Sequence, residues 1–288
     1  MRAPVQFVMP LRFHISPDHS IGVSQTFDSP SVYLDHWAIR LLSDDLALQE
    51  RFVSALRHAG GTLLLSHLTF AEFAAVEDSA TCDRGEAFLS KVLPNVYFAE
   101  FNIDKARQQE DAQPPLAVRP KLAPPPDPQM MRAFAVRYSL SLPFAMTGFI
   151  AEVHQNRGRM ETLVRDVNSR IADKLVAQRT DAAFVSAARN TPVDNGRQPT
   201  TLVMGELMRD FVLDSTSSIS ANDAMDLQHA TVSLAYCDYV LLDGKFADKA
   251  RRMKERISRA NMSMRLAACY SKRDAGLQRF LSSLESWS

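Results

Sequence analysis

Apolar residues in this chain gather in short continuous runs separated by longer stretches with helical spacing. Ser31-Val32-Tyr33-Leu34-Asp35 is β-prone and ends in a carboxylate, and Thr62-Leu63-Leu64-Leu65-Ser66 has the unbroken apolar character of a strand buried on both faces of a parallel sheet. Val96 to Phe101 and Tyr239 to Leu242 are too short for helices and too apolar for loops, so they also predict strands. Helical patterns lie between them. His36 to Leu42 begins one, and Asp44 to His58 forms the next, with Ser43 as its cap and Gly60-Gly61 as its stop. Thr69-Phe70-Ala71-Glu72 opens a third, and Asp83 to Val92 and Ile103 to Asp111 follow. Strand, helices, strand, helices, strand predicts an α/β layer structure with right-handed crossovers.

The pattern then changes. Gln113 to Gln129 carries Pro114, Pro115, Pro120, Pro124, Pro125, Pro126 and Pro128, which predicts an extended run that cannot lie inside a sheet. Met130 to Tyr138, Phe144 to Asn156 and Arg159 to Arg189 read as helices, and Thr191 to Thr200 as a loop. Leu202 to Leu213 is again helical, a strand is expected at Ser263 to Ala267, and a last helix runs near Ala275 to Leu284. Ser220 and Asp223 make a capping pattern for a helix on which Asp226, His229, Ala230 and Ser233 share one face. The chain thus divides into an amino-terminal arm (1–29), a first α/β part (30–112), a Pro-rich linker with a helical insertion (113–200) and a second α/β part (201–288).

Composition adds little about the partner. The 288 residues are 46% hydrophobic and 23% charged, enough to bury a large core. Basic and acidic residues number 33 each, but 113–200 holds 12 basic against 7 acidic residues, so that segment is net positive. Cys82, Cys237 and Cys269 have no metal-type spacing and fit buried thiols in a reducing cytoplasm. No signal peptide or membrane span is expected, because Pro4, Pro10, Arg12 and His14 interrupt the start and Tyr138 to Ala151 is too short to cross a bilayer.

The candidate chemistry lies in four carboxylates. Asp35 closes the first strand, Glu72 follows the second, Asp226 sits in the helix before the last apolar strand and Asp243 ends that strand. In open α/β sheets such positions share the crevice beyond the carboxyl ends of the strands. Carboxylates converging without basic residues repel one another, and oxygen-liganded divalent cations relieve that repulsion. Such a site suits two-metal phosphodiester hydrolysis.

Val32-Tyr33-Leu34-Asp35, Ser66-His67-Leu68-Thr69-Phe70-Ala71-Glu72-Phe73, and Asp226-Leu227-Gln228-His229-Ala230 continuing to Leu241-Leu242-Asp243-Gly244-Lys245-Phe246 resemble the PIN-domain nucleases, among them the toxin ribonucleases of toxin-antitoxin pairs. The resemblance covers about 31–111 and 202–260. It implies a three-layer α/β/α fold with a central mainly parallel sheet, carrying the helical insertion. It also implies an Mg²⁺- or Mn²⁺-dependent ribonuclease with Asp35, Glu72, Asp226 and Asp243 as metal ligands. The partner would be nucleic acid, RNA in preference to DNA, together with an antitoxin-like protein or a second copy of the chain. Two features depart from the family. His36 and Trp37 follow the first Asp, where the family places a small or hydroxylated residue, and the insertion stands where compact members have a short connection.

Each residue also has a structural reading. Glu72 could complete a capping box with Thr69, Asp223 with Ser220, and Asp243 could be a turn residue before Gly244. His229 either orients Asp226, contacts a phosphate or packs in the core. The basic run 249–259 suits a nucleic-acid backbone, whereas the acidic residues interspersed in 157–179 suggest a solvated helix face. A non-catalytic PIN-like module that binds nucleic acid or protein is the competing function. Aspartyl phosphoryl transfer would want a second Asp at the position of Trp37, and no Gly-rich nucleotide-binding loop occurs.

Overall fold

The computed structural model describes residues 10–287 apart from 16, 18, 77, 113–122, 141–147, 194–197 and 263. The chain opens with a hairpin, β1 (Leu11–Ile15) and β2 (Ile21–Gln25), and then lays down β3 (Ser31–Leu34), α1 (His36–Asp44), α2 (Leu46–His58), β4 (Thr62–Leu65), α3 (His67–Ala74), α4 (Ser79–Val92) and β5 (Val96–Phe98). Six helices follow: α5 (Ile103–Asp111), α6 (Pro128–Leu140), α7 (Phe149–Gln155), α8 (Arg157–Thr180), α9 (Ala182–Asn190) and α10 (Pro199–Leu213). The chain then completes α11 (Ala221–Tyr236), β6 (Tyr239–Leu242), α12 (Gly244–Arg259), β7 (Ala268–Ser271) and α13 (Gly276–Glu285).

Five strands form one sheet in the order β5-β4-β3-β6-β7, and every pairing in it is parallel. Alternate residues of each strand point to opposite faces, which is why the runs are apolar throughout. Val32, Leu34, Leu63, Leu65, Phe98 and Leu241 meet α1, α2, α4 and α13 on one face. Tyr33, Leu64, Tyr97, Val240 and Leu242 meet α10, α11 and α12 on the other. The fold is a three-layer α/β/α structure, as expected. The strand order reverses between β3 and β6, so the crevice at their carboxyl ends is the topological switch point.

The hairpin and the Pro-rich run both serve the edge at β5. The Gln25 side chain donates to Phe98 O and accepts from Phe98 N, each at 2.9 Å, which occupies backbone groups that an edge strand leaves unpaired. Pro126 bridges Ala99 in antiparallel fashion, and Pro124 O accepts the Tyr97 hydroxyl at 2.6 Å. Pro is tolerated at such an edge because no ladder donor is needed there. The rest of that run, 113–122, lies outside the described residues, as do the expected start of the helix at Phe144 and positions 194–197 of the expected loop.

Several boundaries differ from the sequence expectation, each for a local reason. Asp45, not Ser43, caps α2, accepting from Ala47 N and Leu48 N, while the Ser43 hydroxyl donates back to Ile39 O inside α1. Asp78 caps α4, which therefore starts at Ser79 rather than Asp83. The long helix expected over Arg159 to Arg189 breaks at Asp181, whose side chain caps α9. Pro199 at the first position of α10 starts that helix before the expected loop ends. The strand expected at Ser263 to Ala267 falls at Ala268–Ser271, because register with β6 pairs Tyr239 with Ala268. Met264 and Leu266 owe their apolar alternation to packing against the core below the sheet.

The basic run 249–259 is largely consumed within the fold. Lys249, 1% exposed, donates to Asp210 at 2.8 Å, Arg252 makes a two-pronged contact with the same carboxylate, and Arg256 pairs with Glu206. These side chains tie α12 to α10, so they are already engaged within the fold rather than free for the backbone contacts the run suggested. No helix among the described residues is long and apolar enough to cross a membrane.

Candidate metal centre

Asp35 and Asp243 occupy equivalent places. Each follows a central strand and caps the next helix: Asp35 accepts from His36 N at 2.8 Å, and Asp243 accepts from Phe246 N at 2.7 Å. Asp35 N donates to Leu241 O at 3.0 Å, which fixes the ends of β3 and β6 side by side. Asp243 is therefore a helix cap rather than a plain turn residue.

Glu72 reaches the crevice from α3. The capping box of that helix is Ser66 with Thr69, so Glu72 is released from the capping role that Thr69 suggested for it. Ser220 and Asp223 do form a reciprocal capping box on α11, and Asp223 also pairs with Lys245. Asp226, one residue short of a full turn beyond Asp223, lines a cleft of about 820 Å³ together with Glu72, His36, Arg40, Arg165 and Asn168.

Carboxylate oxygens of Asp35 and Glu72 and a ring nitrogen of His229 all lie within 4.8 Å of one another. The electrostatics join Asp226 and Asp243 to this group. Burial, with the charge of Asp243 adding to it, raises Asp35 to about 6 against the opposing His36 N–H. Burial followed by repulsion from Asp35 and Asp243 lifts Asp226 to about 8. Glu72 is pushed well above its usual range by burial, Asp35 and Asp226. Among the described residues, none of these four carboxylates has an ion pair. Lys245, the nearby cation, is committed to Asp223.

This donor set fits one or two divalent cations: hard oxygen ligands, mutual repulsion with no ion pair among the described residues, and the buried Nε2 of His229, which, like Nε2 of His36 in the cleft wall, has no hydrogen-bond partner among them. The raised pKa values make a prediction. A folded-state pKa above the unfolded value contributes stability that is complete below about 4 and lost as pH rises through the folded pKa. The metal-free protein is therefore expected to melt at falling temperature as pH rises above about 4, most steeply up to about 6, where Asp35 and Asp226 both contribute, and less steeply up to about 8, beyond which these two groups cause no further loss. Saturating Mg²⁺ or Mn²⁺ should raise the melting temperature more at pH 8 than at pH 5, as differential scanning calorimetry would record.

No family model, curated protein or solved structure matches this chain. The site is thus read from its own geometry.

His36 and Trp37, the departures after the first Asp, leave the crevice intact. The His36 ring packs edge-on against Phe73 at 5.1 Å and lines the cleft wall, and burial together with Arg40 depresses its pKa to about 4. Trp37 turns to the opposite side and packs against the core beneath α1. Four groups escaped the sequence reading, the first being Arg40 of α1, which lines the cleft. Arg165 and Asn168 come from α8 of the insertion, where acidic neighbours suggested a solvated face, and Asn168 is fixed there by Gln228 at 3.0 Å. Tyr33, which reads as a core strand residue, turns its hydroxyl to His229 Nδ1, and burial and the carboxylates keep that hydroxyl protonated. Only strand alternation hinted that Tyr33 faces the α11 side.

Proposed function

We propose that this protein is a divalent-metal-dependent nuclease that hydrolyses phosphodiester bonds, with RNA as its substrate, and that Asp35, Glu72, Asp226 and Asp243 hold Mg²⁺ or Mn²⁺. The observation that carries this reading is the convergence of uncompensated carboxylates at the switch point, at the edge of a cleft that also presents Arg40 and Arg165. Their order along the chain resembles that of PIN-domain nucleases, and the insertion accounts for part of the cleft wall through α8.

Bound divalent cations would supply an acidified water as nucleophile and neutralise charge in the in-line displacement. The chain's own residues do the positioning. Asp35 and Asp243 are held by the helix N-termini they cap, which fixes both carboxylates at the carboxyl edge of the sheet. Glu72 and Asp226 project from α3 and α11 on either side. Arg40 and Arg165 face the same space and offer charge-assisted hydrogen bonds to a phosphate backbone. The three free thiols accord with action in the cytoplasm.

The test is incubation of purified protein with end-labelled single-stranded RNA and with DNA of the same sequence. Cleavage of RNA is expected with Mg²⁺ or Mn²⁺ and none with excess chelator. Metal-independent cleavage, or tight binding without cleavage at any metal concentration, would exclude the nuclease reading, and the second result would favour a binding module.

A further inference from the structure

His229 is 2% exposed and sits on α11 one turn beyond Asp226. Its ring is wedged edge-on against Tyr33 at 5.7 Å and Phe101 at 5.6 Å. Nδ1 bonds the Tyr33 hydroxyl, whereas Nε2 has no hydrogen-bond partner among the described residues. A buried nitrogen without a partner is costly, so native cores seldom retain one without a use for it. Here the ring stands with a nitrogen within 4.8 Å of carboxylate oxygens of both Asp35 and Glu72.

A second cluster shows what a purely structural version looks like. His67, Glu100 and Asp127 are equally close together, but His67 Nδ1 contacts Asp127, Lys105 and Asn102 N satisfy Glu100, and Gln129 N and Met130 N satisfy Asp127. Both carboxylates there are already bonded to protein donors. At His229 one nitrogen is left over.

We infer that His229 Nε2 is a direct metal ligand, forming with Asp35 and Glu72 a mixed nitrogen-oxygen site that takes Mn²⁺ in preference to Mg²⁺. The inference rests on the reading of Asp35 and Glu72 as metal ligands and adds the nitrogen and the selectivity. Imidazole suits transition ions, whereas Mg²⁺ favours oxygen ligands and retained waters. In the tautomer this requires, Nδ1–H donates to the Tyr33 hydroxyl and Nε2 keeps its lone pair. Tyr33 is then the outer partner that fixes the ring, as ligating histidines commonly have. Three ligand atoms about 2.1 Å from one ion lie roughly 3–4 Å apart, and the three residues here offer atoms that all lie within 4.8 Å of one another.

The experiment uses the full metal-free chain. Mn²⁺ and Mg²⁺ are titrated separately by calorimetry, and the Mn²⁺ complex is examined by electron spin echo envelope modulation for coupling to ¹⁴N. The expected result is an imidazole ¹⁴N signal in the wild type. In His229→Gln the signal should vanish, and Mn²⁺ affinity should fall roughly 10- to 100-fold, the scale seen when even supporting residues of metal sites are lost. Mg²⁺ affinity should stay almost unchanged. Mn²⁺ bound to the wild type without ¹⁴N coupling would overturn the inference while leaving the carboxylate site standing, and this measurement does not depend on the variant folding. Undiminished Mn²⁺ preference in a folded His229→Gln protein would overturn it as well. Absence of any binding of either ion by the wild type would overturn both the inference and the carboxylate reading beneath it.

Discussion

Asp226→Asn is expected to lower metal-dependent cleavage about a thousandfold while leaving the protein folded. The magnitude follows from several kcal/mol of transition-state charge stabilisation lost when a cation is displaced, at 1.36 kcal/mol per factor of ten, roughly three powers of ten. Folding should survive because the carboxylate is a burden in the metal-free state. Burial and the charges of Asp35 and Asp243 already push it to about 8, and Asn removes that repulsion with almost no change of shape. The sign can be checked. Above pH 8 the metal-free variant should melt at a higher temperature than the wild type, and below about pH 4, where Asp226 is protonated in both the folded and the unfolded protein, the two should converge. Single-turnover cleavage assays beside thermal melts at both pH values would test this, and unreduced cleavage by the variant would remove Asp226 from the site.

Asp210→Ala should be the most destabilising single change outside the apolar core, at about 3–5 kcal/mol. Asp210 takes Lys249 at 2.8 Å and both prongs of Arg252 at 2.7 and 2.8 Å, and its pKa is held below the usual carboxylate range by these partners against the cost of burial. Its removal strands Lys249, which is 1% exposed and keeps only the Phe211 ring, 4.0 Å away, as a partner for its charge. A stranded buried ammonium has a lowered folded-state pKa, so the unfolded chain binds more protons and the variant should gain stability as pH rises toward 10. Urea unfolding at pH 7 and pH 9.5 would show the gap to wild type narrowing. The double change Asp210→Ala with Lys249→Met should recover much of the loss, because an apolar pair of similar volume often matches a buried ion pair.

The contrast between these two carboxylates indicates how the chain partitions charge. Asp210 and Glu206 are neutralised from α12 and hold the layers together. Among the described residues Asp35, Glu72, Asp226 and Asp243 have no such ion pair, and burial with mutual repulsion raises the first three.

Much of this is legible in the sequence because the signals are local. Ser31 to Leu34, Thr62 to Leu65 and Tyr239 to Leu242 announce themselves as strands through unbroken apolar runs, and parallel strands buried on both faces must carry such runs. Asp35 and Asp243 each end a run and start a helix, so their position at the sheet's carboxyl edge follows from the chain's own order. The α/β layers and the four carboxylates are therefore within reach of the sequence alone.

Tertiary structure decided what depends on partners far along the chain. It placed β7 by register against β6, spent Lys249, Arg252 and Arg256 on Asp210 and Glu206, and brought Arg165 and Asn168 of the insertion to the cleft. It also left Nε2 of His229 without a hydrogen-bond partner among the described residues and set a nitrogen of that ring close to Asp35 and Glu72. The physical reason is the range of the forces involved. Periodicity and capping act within a few residues and are written in neighbouring letters. Whether a buried charge or ring nitrogen finds a partner depends on which distant side chains the fold brings within hydrogen-bonding reach.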